Sequence, residues 1–370
     1  MSGGASPAFW ADRLPAFPWD LLGAHARRAA EHPDGIVDLS IGTPVDPVPD
    51  LVRQALAEAA NSPGYPATAG TLELRQAVVR WLTDRVGVRG IEPDAVLPTV
   101  GSKELVSLLP FLLGARPGDR VLLPRLAYPT YDVGARLAGC RPEPCDEPPA
   151  DPAGVAMVWV NSPSNPTGRV SPVTELRGWV EWGRRHGVPV VADECYLELG
   201  WQTEPRSVLH PDVCGADHTG LLAVHSLSKR SNLAGYRAGF VAGDRALVAG
   251  LLEVRKQVGL IVPAPVQAAM VAALADSAHV REQRNRYAAR RAVLWSALGA
   301  AGFVVEHSEA GLYLWATRGE DCWESVGWLA DRGVLVAPGA FYGESGQRHI
   351  RASVTATDER VAAAATRLTR

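Results

Sequence analysis

Between positions 226 and 237 the chain reads Ser-Leu-Ser-Lys-Arg-Ser-Asn-Leu-Ala-Gly-Tyr-Arg, which sets one amine among hydroxyls and a guanidinium at fixed spacing. The amine of Lys229 can condense with an aldehyde to a Schiff base. Ser226, Ser228 and Arg237 can donate hydrogen bonds to a phosphate carried by the same small molecule. An isolated Ser-x-Ser-Lys is more often a lysine in a polar loop, so this reading depends on what the rest of the chain supplies.

The rest supplies a good deal. At Gly101-Ser102-Lys103-Glu104 a strand hands over to a helix, whose first N–H groups favour an anion, a second phosphate handle. Asp193 ends an apolar run and would be partly buried, and a buried carboxylate wants a cation. A protonated pyridine nitrogen is such a partner and turns the ring into an electron sink, so the small molecule is read as pyridoxal phosphate. Glu194 could hold the same role from the opposite side-chain direction, with Asp193 preferred. Asn165 and Tyr196 can donate to the cofactor's phenolic oxygen, which helps lower a nitrogen whose free amine has a pKa of about 10.4. Tyr128 is a candidate for stacking on the ring. Arg351 presents a planar fork that suits the α-carboxylate of an amino acid.

Composition narrows the field. The 370 residues are 47% hydrophobic and 21% charged with a net charge of -3, globular values for which two domains are the prior. With a pI of about 6.3 there is no basic field to hold nucleic acid. Five scattered cysteines without a C-x-x-C pair fit a reducing, cytoplasmic setting. The opening Met1–Pro7 lacks the basic start and apolar run of a signal peptide, and the longest apolar stretch, near 105–115, is interrupted and too short to span a bilayer. No metal-spaced His/Cys cluster, G-x-S-x-G elbow or Walker sequence is present.

Elements must bring these groups together. Apolar runs at 95–100, 120–123, 155–160, 188–192 and 221–225 alternate with helical patterns, which predicts a mainly parallel sheet covered by helices. Such sheets bind ligands at the carboxyl ends of their strands, where 101–103, 161–165, 193–196 and 226–229 each follow a run at once. Helical patterns cover 50–60 and 71–85, and Asp20 is placed to cap a short helix near the start. A long Ala- and Arg-rich helical stretch runs from about 263 to 299, followed by short strands at 303–305, 311–315, 334–336 and 349–351. The expected architecture is α/β: a large domain over 46–275 with a mainly parallel sheet flanked by helices, and a smaller α+β domain over 276–370, residues 1–45 forming an arm and part of the small domain.

With its motifs in this order, the chain resembles the class I/II aminotransferases of the fold-type I pyridoxal phosphate superfamily. The resemblance rests on the lysine segment Ser226–Gly239, on Asn165-Pro166-Thr167-Gly168 and on Asp193–Tyr196. It implies that Lys229 anchors the cofactor and moves the proton, that Asp193 pairs with the pyridine nitrogen, and that Asn165 and Tyr196 contact the phenolic oxygen. Gly101, Ser102 and Lys103 with Ser226, Ser228 and Arg237 would form the phosphate cup, Tyr128 would stack on the ring, and Arg351 and the backbone of Gly42 would take the substrate carboxylate. Tyr65 matches a tyrosine that reaches the partner subunit's phosphate, implying a homodimer with shared sites. More narrowly, the stretches 33–40, 64–71, 128–136 and 311–320 resemble succinyldiaminopimelate aminotransferases of lysine biosynthesis. Arg230, directly after the lysine, departs from the small or hydroxyl residues common there; it is read as pointing to solvent or assisting an acidic distal group. Two other readings are a β-eliminating lyase on the same cofactor and a non-enzymatic ligand sensor, the latter lacking room for a DNA-binding extension.

Overall fold

The computed structural model describes residues 14–369; Met1–Pro7, read above for leader features, and Arg370 lie outside the described residues. After a short strand at Val37–Asp38 (β1), the large sheet is built from Val96–Val100 (β2), Arg120–Leu123 (β3), Arg141–Pro144 (β4), Val155–Asn161 (β5), Val190–Asp193 (β6), Leu221–Ser226 (β7) and Ala238–Gly243 (β8). Its order is β2-β8-β7-β6-β5-β3-β4. Only β8 in this sheet runs antiparallel to its neighbours. The expected α/β class holds, with helices covering a mostly parallel sheet.

Why the strands read as unbroken apolar runs is visible in their packing. Val158 and Val160 join one hydrophobic cluster with Leu176, Trp179 and Val190, while Met157 and Trp159 join another with Leu105, Leu109 and Val191. The central strands β5 to β8 bury both faces, so the period-2 alternation of a half-exposed strand disappears. Polar residues gather toward the ends of these strands, where Asn161, Asp193 and Ser226 follow one another across β5, β6 and β7.

A second layer follows, with strands Val304–Glu306 (β9), Tyr313–Thr317 (β10), Val334–Leu335 (β11), Ala337–Pro338 (β12) and Ile350–Ser353 (β13). Four of them form an antiparallel sheet ordered β12-β13-β10-β9, and β1 pairs in parallel with β11. Leu22, Val37 and Leu39 share a hydrophobic cluster with Leu294, Leu314, Val326 and Leu368, so the N-terminal segment packs on the C-terminal one. The register sets Trp315 opposite Arg351 and Tyr313 opposite Ser353, which places Tyr313 and Arg351 on one face as diagonal neighbours.

Two local readings change. The helical stretch from 263 is two helices, Ala264–Ala275 and Ala278–Ala300, split where Asp276 accepts from the backbone N–H of His279 at 2.9 Å. Asp20 caps nothing: it lies inside the turn Pro18–Leu22, whose first position is taken by the φ-restricted proline.

Candidate active site

The strand ends converge on a cavity of about 310 Å³ lined by residues of β5, β6, β7, the first turn of helix Gly101–Leu112, the N-terminal segment and β10 and β13. Twelve of the expected residues line it: Gly42, Ser102, Lys103, Tyr128, Asn165, Asp193, Tyr196, Ser226, Ser228, Lys229, Arg237 and Arg351. Gly101 stands just behind, where a Cβ would run into the Arg237 guanidinium; its φ of +72° is a second reason for glycine. Tyr65 is not brought to the cavity and is fully exposed.

At the floor, Asp193 is buried at the end of β6. Tyr131 donates to its Oδ2 at 2.8 Å, and the backbone N–H of Cys195 donates to Oδ1 at 3.2 Å. Burial raises the carboxyl above its ordinary value despite these donors. A buried carboxylate facing a cavity in this way favours a cationic ligand group. Glu194 faces elsewhere. Its carboxylate accepts from the N–H of Val208 and borders a small separate void with Trp81, His225 and Arg230.

Lys229 sits in the short helix Leu227–Arg230, capped by Ser226, whose Oγ accepts from the N–H of Ser228 at 3.1 Å. Ending β7 and starting this turn aims the Lys229 amine into the cavity, where it donates to the carbonyl of Gly42. Burial lowers the amine below the ordinary lysine value, and the cations Arg351 and Arg237 add to the effect. An amine so placed is a better nucleophile near neutral pH than a free lysine. At Gly42 the backbone group that Lys229 meets is the carbonyl.

Arg351 is 2% exposed. Its Nη1 donates to Asn165 Oδ1 at 2.8 Å and its Nη2 to the carbonyl of Ser40 at 2.7 Å, and its Nε is buried without a partner. Its Cζ lies 3.8 Å from the Tyr313 ring centroid. An unpartnered guanidinium N–H beside a cavity suits an incoming carboxylate.

Several lining residues carried no motif. Tyr131 stacks on Trp159 with centroids 4.9 Å apart; its spacing of three from Tyr128, one helical turn, was the available signal. Tyr313 reaches Tyr196, the two hydroxyl oxygens 3.1 Å apart, and only strand pairing with the segment of Arg351 pointed to it. Asn161 donates to the carbonyl of Asp193 at 2.9 Å and accepts from the N–H of Asn165 at 2.8 Å, tying the two loops together. Phe17, Trp19 and Ile41 bring the N-terminal segment into the wall. Arg230 points neither to solvent nor to this cavity: it is buried, paired with Glu198 at 2.6 Å and set over Trp81.

A buried amine, hydroxyl and guanidinium donors, and a carboxylate in want of a cation form a donor set that fits pyridoxal phosphate, with its aldehyde, phosphate and pyridine nitrogen. The description "Aminotransferase class I and II" matches residues 34–368. The chain is 63% identical over 357 residues to a probable aminotransferase of Mycobacterium tuberculosis, covering 96% of this chain and 85% of that one. It is 61% identical over 359 residues to the 4-dedimethylamino-4-oxo-anhydrotetracycline transaminase of Streptomyces rimosus, covering 96% and 99%. Among solved structures, a probable N-succinyldiaminopimelate aminotransferase of Thermus thermophilus superposes with a TM-score of 0.85 at 30% identity, over 95% of this chain and 99% of that one. Sequence, fold and the contents of the cavity agree: the chain belongs to the class I and II aminotransferases, pyridoxal-phosphate-dependent enzymes of fold type I that act on amino and 2-oxo acids.

Proposed function

We propose that this aminotransferase moves an amino group between glutamate and N-succinyl-2-amino-6-oxopimelate, the succinyldiaminopimelate transaminase reaction of lysine biosynthesis. The observation that carries the transaminase chemistry is the joint placement of the Lys229 amine, the Asp193 carboxylate and the Arg351 guanidinium in one cavity. When bound, the cofactor supplies an electron sink for the charge left at the substrate's Cα. Lys229 removes and returns the proton at that carbon, its basicity lowered by burial. Asp193 holds the proton on the pyridine nitrogen, and Asn165 and Tyr196 donate to the phenolic oxygen. Gly101, Ser102, Lys103, Ser226, Ser228 and Arg237 surround the phosphate, Tyr128 flanks the ring, and Arg351 and Gly42 orient the α-carboxylate.

The substrate assignment draws on the likeness to the Thermus thermophilus protein and on charge. Lys103, Lys229, Arg237 and Arg351 make the cavity lining strongly cationic, which suits substrates that carry extra carboxylates. The enzyme works as a homodimer in which the exposed Tyr65 reaches the partner's phosphate, and its setting is the cytoplasm. Among the described residues no helix is long and apolar enough to cross a membrane.

A second reading is favoured by the aromatic wall of Phe17, Trp19, Tyr128 and Tyr313 and by the 61% identity to the anhydrotetracycline transaminase: a polycyclic ketone as amino acceptor. The loaded enzyme, mixed with glutamate or succinyldiaminopimelate, should lose the absorbance of its aldehyde form and gain that of its amino form. Reoxidation by the succinylated oxopimelate but not by an anhydrotetracycline ketone supports the first reading, and the reverse supports the second. Pyruvate and ammonia released from cysteine, with no amino form accumulating, would mark a lyase instead.

A further inference from the structure

Tyr313 opens β10 with its side chain buried, and it lines the cavity. Its hydroxyl lies 3.1 Å from the Tyr196 hydroxyl with the rings edge to face, 5.8 Å between centroids. Arg351 sits on its ring face, and a side chain at Gly42 would overlap its hydroxyl. Glycine at 42 therefore makes the space that the Tyr313 hydroxyl fills.

A phenol has one proton to give and two lone pairs with which to accept. In the function proposed above, Tyr196 spends its proton on the cofactor's phenolic oxygen, so toward Tyr313 it can only accept. The proton between the two phenols must then come from Tyr313. We infer that Tyr313 is a positioning residue: its hydroxyl donates to the Tyr196 oxygen and thereby aims the single Tyr196 proton into the cavity. This rests on the reading of Tyr196 as a donor to the cofactor. Packing leaves Tyr313 free to be the donor: its ring is held between Arg351 and Gly42, and among the described residues its hydroxyl has no other hydrogen-bond partner to which its proton is committed. The other titratable groups around the pair are Lys229, Arg351 and Cys195 together with the phenols of Tyr128, Tyr131, Tyr287 and Tyr342.

The experiment is a pH titration of the visible absorbance of the cofactor-loaded enzyme in four forms: unmodified, Tyr196→Phe, Tyr313→Phe and the double variant. Losing a donor leaves the cofactor's phenolic oxygen more basic, which raises the pH of the absorbance change. Tyr196→Phe should raise the midpoint by about one unit and Tyr313→Phe by about half a unit. Tyr313→Phe should add nothing once Tyr196→Phe is present, and in the single variant kcat should fall about 3–10-fold with a smaller change in KM for glutamate. A midpoint that moves with Tyr196→Phe but not with Tyr313→Phe overturns the positioning role alone, as does an equal Tyr313→Phe shift in both backgrounds. A midpoint unmoved by Tyr196→Phe overturns the reading of Tyr196 itself, and the positioning role with it. Should Tyr313→Phe not hold the fold, Gly42→Ala crowds the same hydroxyl and must raise the midpoint in the same titration.

Discussion

The phenolic oxygen of Tyr131 stands 2.8 Å from Oδ2 of Asp193, both residues buried, and the Tyr131 ring is held by stacking on Trp159. Burial holds this phenol protonated well above the ordinary tyrosine range, so it serves the carboxylate as a donor. One of the few groups that offset the burial of Asp193 is thus supplied by a tyrosine of the helix Thr130–Leu137.

Tyr131→Phe should therefore weaken cofactor binding. A hydrogen bond to a charged group contributes roughly 1.5–3 kcal/mol, so the Kd for pyridoxal phosphate should rise about 10- to 100-fold, measured by fluorescence quenching on the apoenzyme. An unchanged Kd would reduce Tyr131 to a packing role.

Arg351→Lys keeps the charge but loses the fork that holds Asn165 and Ser40 while leaving Nε free. The KM for glutamate should rise roughly 10- to 100-fold, kcat less, because a point charge cannot present two N–H groups to one carboxylate. Steady-state kinetics decide it.

Arg230 and Glu198 form a buried pair directly behind the anchoring lysine. Arg230→Ala leaves a carboxylate without its partner and should cost about 3–5 kcal/mol in urea unfolding. Replacing both by leucine should recover most of that loss; a double variant as unstable as the single one would contradict the pairing.

Glu194 and His225, 3.4 Å apart, make stability depend on pH in opposite senses. Burial raises the Glu194 carboxyl to about 8 from an ordinary 4.5. Its contribution is complete below 4.5 and lost as pH rises toward 8. Burial lowers the His225 ring to about 3 from 6.5, so its contribution is complete above 6.5 and lost as pH falls toward 3. The slopes cancel between 4.5 and 6.5, and between 6.5 and 8 the enzyme should lose about 1–2 kcal/mol. Glu194→Gln should flatten that alkaline loss in urea titrations at pH 6.5 and 8; an equal loss in both proteins would rule out Glu194 as its source.

The large sheet was legible in the sequence because strands buried on both faces leave apolar runs with polar ends, as at Val155–Asn161 and Val190–Asp193. Where composition is atypical the signal fails. β4 reads Arg-Pro-Glu-Pro and lies at the sheet edge, and β8 reads Ala-Gly-Phe-Val-Ala-Gly; neither looks like a strand in isolation. The site divides in the same way. Lys229, Asp193 and Asn165 sit in local motifs, whereas Tyr313 enters the cavity through the pairing of β10 with β13, and Phe17 and Trp19 through a segment more than two hundred residues from Lys229 in sequence. Contacts of that range have no local periodicity to announce them.

Atoms that are missing shape this cavity as much as those present. At Gly42 a methyl group would strike Tyr313, at Gly101 it would strike Arg237, and at Gly239 it would press on Thr99 and the backbone around Ser102. A saturation library across the cavity should accordingly show two kinds of sensitivity: positions where loss of a functional group is felt, and three where each added atom displaces a neighbour, in steps that grow from alanine upward. A redesign toward larger acceptors has to find its extra room at Phe17, Trp19 and Ile41, where the wall is made of side chains that can be trimmed.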